Sequence, residues 1–139
     1  MGFTTYNGFG LPFATTLDYH YLTRDFENTI ACSDAVVVPT RPSFNDVEPF
    51  LRTLKMVQTV KPGVPTLVVV NALTPYTMSK KFMDWLYAEN LDYKIATVTR
   101  SEAFEQYIGS GQSVVGNDRY GRVSADIQRM NSDIFGFLV

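Results

Sequence analysis

A single cysteine and a single histidine occur in the sequence, and these two scarcities restrict its chemistry. Cys32 has no second cysteine with which to form a disulfide, so we expect a reducing, cytoplasmic setting. His20 has too few companion ligands for a histidine-based metal site, and we predict no metal site. No Ser/His/Asp set for nucleophilic catalysis can be assembled around it. Because Cys32 lies beside an apolar stretch, we interpret it as a small buried hydrophobe rather than a nucleophile.

Long apolar runs and a strong charge of one sign are also missing. No apolar segment approaches the roughly 20 residues of a membrane-spanning helix. The amino terminus does not show the charged region followed by an apolar region that marks a signal peptide. Twelve Lys and Arg residues against 14 Asp and Glu residues give a formal net charge of −2. We therefore predict no membrane partner, and binding of nucleic acid would need a local basic patch.

The apolar content is sufficient for one folded domain of ordinary size. The 139 residues are 45% hydrophobic and 19% charged, and no linker or charge block divides them. We assign residues 1–139 to a single α/β domain. Residues 1–16 are predicted to form an irregular amino-terminal arm, because Asn7-Gly8 and Gly10 are turn signals. This Gly-rich arm lacks the Gly-Lys-Ser/Thr ending of a phosphate-binding loop.

The stretch from Asp34 to Ser43 organises the rest of the chain. Ala35 to Val38 is apolar and mostly β-branched without polar alternation, which is typical of a strand buried on both faces of a parallel sheet. We predict that it is the central strand and that Pro39 ends it, because proline cannot donate to a strand ladder. Thr40 and Arg41 then follow at the carboxyl end, where open α/β sheets bind ligands.

The same succession of apolar strand, polar loop and amphipathic helix repeats downstream. Two further strands are predicted, at Thr66–Val70, which is followed by Asn71, and at Lys94–Val98. Apolar residues at spacings of three and four predict helices over residues 24–33, 46–60, 101–108 and 118–139, and another that begins at Thr77 or Ser79 and extends to residue 91. Shorter features are extended pieces at Leu17–Thr23 and Ser113–Val115, and inward-facing Phe104, Tyr107 and Ile108. This alternation implies right-handed crossovers and a mostly parallel sheet with helices on both faces.

Four motifs follow one another along the chain. They are Asp34-Ala-Val-Val-Val-Pro-Thr-Arg-Pro-Ser43, Gly63-Val-Pro-Thr-Leu-Val-Val-Val-Asn71, Arg100-Ser-Glu-Ala-Phe104 and Gly111-Gln-Ser-Val114. Over roughly residues 18–139 the chain resembles the carboxyl-terminal half of ParA/MinD-type deviant Walker ATPases, which act in DNA partition and division-site placement. It is more similar to ParA-like partition proteins than to MinD, because the final helix has no basic amphipathic membrane-targeting face.

The resemblance implies a three-layer P-loop NTPase-like fold, a cytoplasmic function in DNA segregation or plasmid maintenance, and ATP and Mg²⁺ as cofactors. Asn71 falls where the family contacts adenine, and its amide suits an adenine edge. The alternative is a turn-forming asparagine. Thr40 and Arg100 are the other nucleotide-binding candidates, and Arg100 matches an arginine common in the family. A contact of Arg100 with DNA, or a salt bridge to a carboxylate such as Glu102, stays open.

Two departures from the family's pattern concern catalysis. No lysine-bearing phosphate loop is present, so the family's amino-terminal half is interpreted as missing or replaced. Asp18 to Arg24 looks like the Walker B strand, but Thr23 falls where its aspartate belongs and Asp25 lies two positions on. Without the lysine, the charge of the β- and γ-phosphates is not neutralised in the usual way. We predict no catalytic residue, no certain cofactor and no ATP hydrolysis by this chain alone.

Five basic residues are the candidate DNA contacts. They are Lys80, Lys81, Arg119, Arg122 and Arg129. Arg122 and Arg129 are seven residues apart and therefore share one face of the final helix. The alternative is an ordinary solvated helix surface, because acidic residues are interspersed with the basic ones.

Three functions stay open on this reading. The first is a ParA-like partition protein, truncated or reduced, with a partner protein of the partition system and non-specific DNA as implied partners. The second is a non-catalytic interaction or regulatory module on the same fold, and the third is a flavodoxin-like or other small α/β binding domain. An incomplete layer leaves apolar surface and a strand edge open, so self-association as a two-fold dimer is also predicted.

Overall fold

A computed structural model describes residues 4–6, 12–14, 23–115 and 121–138 of the chain. The strands are β1 (Thr4–Tyr6), β2 (Pro12–Ala14), β3 (Val36–Thr40), β4 (Thr66–Leu73) and β5 (Lys94–Thr99). The helices are α1 (Thr23–Ala31), α2 (Val47–Val60), α3 (Thr77–Ala88), α4 (Ala103–Ser110) and α5 (Gly121–Leu138), and a 3-10 turn at Phe44–Asp46 precedes α2.

The larger sheet has the order β3-β4-β5, and both strand pairs run parallel. Each strand is followed by a helix that leads to the next, which confirms the predicted α/β alternation. Three consecutive strands in sequence order occur in several doubly wound arrangements, so this order does not by itself distinguish one α/β fold from another.

The core lies on both faces of β4, the central strand of this sheet. Val68 and Val70 belong to a cluster on one face that includes buried residues of α2 and α3, among them Phe50 and Phe82. Leu67 and Val69 belong to the opposite cluster, which is covered by α5 through Ile127, Met130, Ile134 and Phe137. Helices therefore pack on both faces of the sheet, as predicted.

The position of β3 differs from the prediction. Among the described residues β3 is an edge strand, and the central position belongs to β4. Pro39 lies inside β3, opposite Val69, and does not end the strand. The Val36 amide donates to Pro65 O at 2.8 Å, so the backbone groups of alternate residues face β4 and those of Val37 and Pro39 face outward. A proline is compatible with that position, because no ladder bond is required there.

Burial along β3 also alternates, which corrects the expectation of a strand buried on both faces. Val38 and Thr40 are buried on the side of α2. On the other side, Val37 is 41% exposed and Pro39 is exposed. On that side, α5 covers the neighbouring residues Leu67 and Val69 of β4. The helix therefore covers β4 and β5 but not the underside of β3, which is the face that carries Val37 and Pro39.

Two carboxylates attach α5 to β5. Asp126 Oδ2 accepts hydrogen bonds from Thr99 N at 3.0 Å and from Thr99 Oγ1 at 2.7 Å. Near the other end of the strand, Lys94 Nζ lies 2.7 Å from Asp133 Oδ1. The two contacts lie at opposite ends of β5, so α5 runs antiparallel to that strand.

The amino-terminal segments give a mixed outcome. Residues 1–16 were predicted to be irregular, but β1 and β2 pair antiparallel, with Thr5 opposite Phe13. The predicted strand at Leu17–Thr23 lies outside the described residues, except for Thr23, which begins α1.

Three smaller expectations are wrong. Ile108 of α4 is 76% exposed, because the buried position of that helix is Ala103. Ser113–Val115 forms no strand, although Val114 is buried against α4 and α5. Cys32 is exposed one residue after the end of α1, where it packs in no core.

Candidate functional site at the carboxyl edge of the sheet

The carboxyl ends of β3, β4 and β5 bring the predicted nucleotide-binding residues to one edge of the sheet. Thr40, the last residue of β3, pairs with Val70 of β4, so Asn71 of β4 lies just beyond the end of β3. Arg100 N donates to Leu73 O at 2.9 Å, which holds the residue after β5 beside the end of β4. Parallel strands place these ends side by side, at the edge where open α/β sheets bind ligands.

At the end of β3, Thr40 is buried and Arg41 forms an ion pair with Asp46. Thr40 is 7% exposed, and its hydroxyl donates to Arg41 O at 3.3 Å. Arg41 Nε and one Nη donate to the two carboxylate oxygens of Asp46, at 3.0 and 3.3 Å. Asp46 is the N-cap residue of α2, but its side chain makes no cap hydrogen bond. The bidentate pair instead holds Arg41 over the start of α2.

At the end of β4, the backbone departs from regular strand geometry in its pairing and in one dihedral angle. The pairing with β5 is irregular between Val70 and Leu73, which is typical of a β-bulge. Ala72 has φ 58°, the left-handed region that non-glycine residues seldom adopt. Asn71 Oδ1 accepts from Ala72 N at 2.9 Å, and the side chain is exposed. Its Nδ2 donors make no hydrogen bond to the described residues, so they are available to a ligand.

The loop after the bulge is held by two hydroxyls. Ser79 Oγ, in the first turn of α3, accepts from Thr74 N at 3.3 Å and lies 2.8 Å from Thr74 Oγ1. Ser79 is 4% exposed, so this contact is shielded from water. The pair fixes the position of the bulge relative to α3.

At the end of β5, a cation is accessible. Arg100 is exposed and forms no ion pair with any described residue, including Glu102, the alternative partner considered from the sequence. Thr99 is occupied by Asp126, as described above. Arg100 therefore offers a guanidinium that has no ion pair with the described residues, at the same edge of the sheet as Asn71.

The chemistry of this edge suits binding better than catalysis. It offers amide and guanidinium donors and small hydroxyls. No group of three or more His, Cys, Asp or Glu side chains suited to a metal ion occurs in the part of the chain that the structure describes. The residues present fit a nucleobase and one anionic group, but they do not provide the lysine-bearing cradle that a triphosphate with Mg²⁺ requires.

The predicted degenerate Walker B residues lie on a helix. Thr23 and Asp25 belong to the first turn of α1, which precedes β3 and packs against α2. The Asp25 backbone carbonyl accepts from Thr29 Oγ1 within that helix. The residues that directly precede α1, 15–22, lie outside the described part of the chain.

The candidate DNA contacts do not form one surface. Lys80 and Lys81 are exposed on α3, whose inner residues belong to the Val68 and Val70 face. Arg122 and Arg129 are exposed on α5, which covers the opposite face, and Arg129 Nη1 lies 3.8 Å from Asp126 Oδ1. Arg119 lies outside the described residues. The sheet therefore separates these cations into two groups.

Three features of this edge were not predicted. The left-handed Ala72, the Thr74–Ser79 contact and the Asp126 carboxylate have no local sequence signal. Asp126 is buried and lies 27 residues from its partner Thr99. An acid among the inner apolar positions of a helix indicates that it needs a partner but does not indicate which one.

A shallow cavity lies at the other end of the sheet. Its volume is about 230 Å³, and its lining is Leu86, Tyr87, Asn90, Leu91, Tyr93 and Ile95. No charged side chain lines it, so it offers no counterion to a phosphate.

Comparison with known proteins adds no relative: no protein-family model matches the chain, and no curated protein matches it. Among the described residues, no helix is long and apolar enough to cross a membrane.

Proposed function

We propose that this chain is a ParA-like domain that binds an adenine nucleotide at the carboxyl edge of its sheet, and that it acts in DNA partition without hydrolysing ATP by itself. The observation that carries the proposal is Asn71. It stands exposed at the end of the central strand, with its acceptor bound to Ala72 N and its donors turned toward no described residue.

The surrounding geometry supports base recognition. Unfavourable backbone conformations persist where the structure over-determines them, and they cluster at ligand sites. Ala72 has such a conformation directly after Asn71, whose amide oxygen accepts from Ala72 N. Arg100 supplies a cation for a phosphate or carboxylate on the same edge. The donors of the Asn71 amide can meet the ring-nitrogen acceptors of a purine.

The same geometry argues for binding without turnover. No lysine-bearing loop is present to neutralise the β- and γ-phosphates, and no acid of the described residues lies at a strand end in the position of a Walker B aspartate. The γ-phosphate therefore gains little on binding, and ATP and ADP are expected to bind with similar affinity.

The test is calorimetric titration of the chain with ATP, ADP and GTP. Asn71→Ala is expected to weaken binding of ATP and ADP roughly tenfold, as the loss of one or two hydrogen bonds would. Gln58→Ala is the matched control, because Gln58 is an exposed amide on α2, away from the strand ends. Absence of nucleotide binding by the wild type, or equal affinity of the two variants, would contradict the proposal.

A second function, a non-catalytic interaction module, is favoured by one observation. Among the described residues, nothing covers the face of β3 that carries Val37 and Pro39 or pairs with its outer edge, as an interaction surface would require. A wild-type chain that binds no nucleotide but binds a protein through β3 would support this alternative over the first.

A further inference from the structure

No strand among the described residues pairs with the outer edge of β3, so backbone groups there are unpaired within the described part of the chain. Val36, Val38 and Thr40 direct their backbone groups to β4, so Val37 presents its N–H and C=O on the open side. Pro39 presents only a carbonyl there, because it has no N–H. Edge prolines limit strand pairing without preventing it, since each removes one hydrogen bond from the ladder.

The side chains on this edge are apolar and uncovered on the side of α5. Val37 is 41% exposed and Pro39 is exposed, whereas their neighbours Leu67 and Val69 are buried beneath α5. The apolar surface at this edge therefore consists of Val37 and Pro39.

Two residues that flank β3, Asp34 and Arg41, carry opposite charges. Asp34 precedes the strand, is exposed and forms no ion pair with the residues that the structure describes. Arg41 follows the strand and uses Nε and one Nη for Asp46, which leaves its second Nη group available. In an antiparallel copy with Val37 opposite Val37, Asp34 of one chain lies opposite Thr40 of the other, one residue from Arg41, and this occurs twice. A parallel copy would bring like charges together.

We propose that two copies of this chain pair through the outer edge of β3, antiparallel about a two-fold axis at Val37, and that this dimer requires no nucleotide. In that register the two Val37 residues exchange both of their backbone hydrogen bonds. Ala35 of each chain donates to the Pro39 carbonyl of the other. The missing N–H of Pro39 removes one bond per chain. The two sheets then join into one sheet of six strands.

The strength of this dimer is limited by the length of the edge. Five residues of strand and the adjoining underside fall in the class of small interfaces below about 1,200 Å², which are transient. We therefore expect a micromolar dissociation constant. Pro39→Val would add the missing donor on the open side and should tighten the dimer.

The experiment is sedimentation equilibrium of the whole chain over a range of micromolar concentrations, with and without ATP and Mg²⁺. The wild type is expected to form a dimer equally in both conditions. Val37→Lys is expected to abolish dimerisation, because a lysine on a strand edge opposes pairing. Ile108→Lys is the matched control at a more exposed apolar residue, on α4, and is expected to dimerise as the wild type does.

A charge-reversal pair tests the two-fold arrangement. Asp34→Lys and Arg41→Asp should each be monomeric alone, since each places like charges at both ends of the ladder. An equimolar mixture of the two should dimerise, because every end then carries opposite charges. Thermal unfolding followed by circular dichroism checks that each variant is folded.

Four results would overturn the inference. They are a wild type that is monomeric throughout, a dimer that forms with ATP alone, equal dimerisation of Val37→Lys and Ile108→Lys, and a mixture of folded charge variants that stays monomeric.

Discussion

At the scale of single residues, the described structure departs most from ordinary backbone geometry at Ala72. A left-handed conformation costs a residue with a Cβ atom roughly 1–2 kcal/mol. Asn90 is the other non-glycine residue of the described chain with positive φ, at 50°. Asparagine tolerates this region because its short side chain can bond locally, whereas alanine has no such compensation. The strain at Ala72 is therefore maintained by the bulge and by the Thr74–Ser79 contact.

The first prediction concerns this strain. Ala72→Gly should raise the free energy of unfolding by about 0.5–1 kcal/mol, because relief of 1–2 kcal/mol exceeds the cost of the greater freedom of glycine in the unfolded chain. Urea denaturation measures the change. Asn90→Gly is the control and should gain less. If Ala72→Gly destabilised the protein, the left-handed conformation would not be the dominant energetic feature of that residue.

At the scale of elements, α5 depends on a buried acid for its attachment to β5. Asp126 is 8% exposed and accepts two hydrogen bonds from Thr99, one from the backbone and one from the hydroxyl. Removal of the carboxylate leaves both donors without their partner in a shielded position. Such a loss costs about 1–3 kcal/mol.

The second prediction is that Asp126→Ala lowers the free energy of unfolding by about 1–3 kcal/mol, whereas Asp84→Ala, at an exposed position of α3, changes it little. Chemical denaturation of both variants provides the comparison. Equal stabilities of the two variants would show that α5 is held by its apolar face alone.

The elements differ in how far the sequence could predict them. The helices α2, α3 and α5 were predictable because apolar residues recur at helical spacing, and β4 because five consecutive residues are apolar or small. The place of β3 in the sheet was not, because an apolar run looks the same whether one neighbour or two lie beside it. Pro39 held the relevant information, since proline inside a strand indicates an edge.

The candidate site likewise contains residues that the sequence could place and residues that it could not. Thr40, Asn71 and Arg100 could be placed at one edge, because parallel strands align their carboxyl ends. The bulge at Ala72 and the Arg41–Asp46 pair depend on backbone geometry and on loop closure, for which the sequence carries no periodic signal. The split of the basic residues between two faces required knowledge of which helix packs on which side.

At the scale of the whole molecule, two surfaces have separate roles in this account. The carboxyl edge of the sheet, with Asn71 and Arg100, is proposed to bind a nucleotide. The outer edge of β3 is proposed to bind a second copy. Dimerisation through Val37 should therefore leave nucleotide affinity unchanged, and Asn71→Ala should leave the dimer intact.

The most direct test of the central claim is an NMR titration of the isotopically labelled chain with ATP and Mg²⁺, followed over time. We predict amide shift changes concentrated at residues 40–43, 71–79 and 99–102, with no conversion of ATP to ADP beyond a protein-free sample. Shift changes confined to the cavity at residues 86–95, or to the exposed lysines of α3 and arginines of α5, would contradict the proposed site. Conversion of ATP that a single substitution in the chain abolishes would contradict binding without turnover.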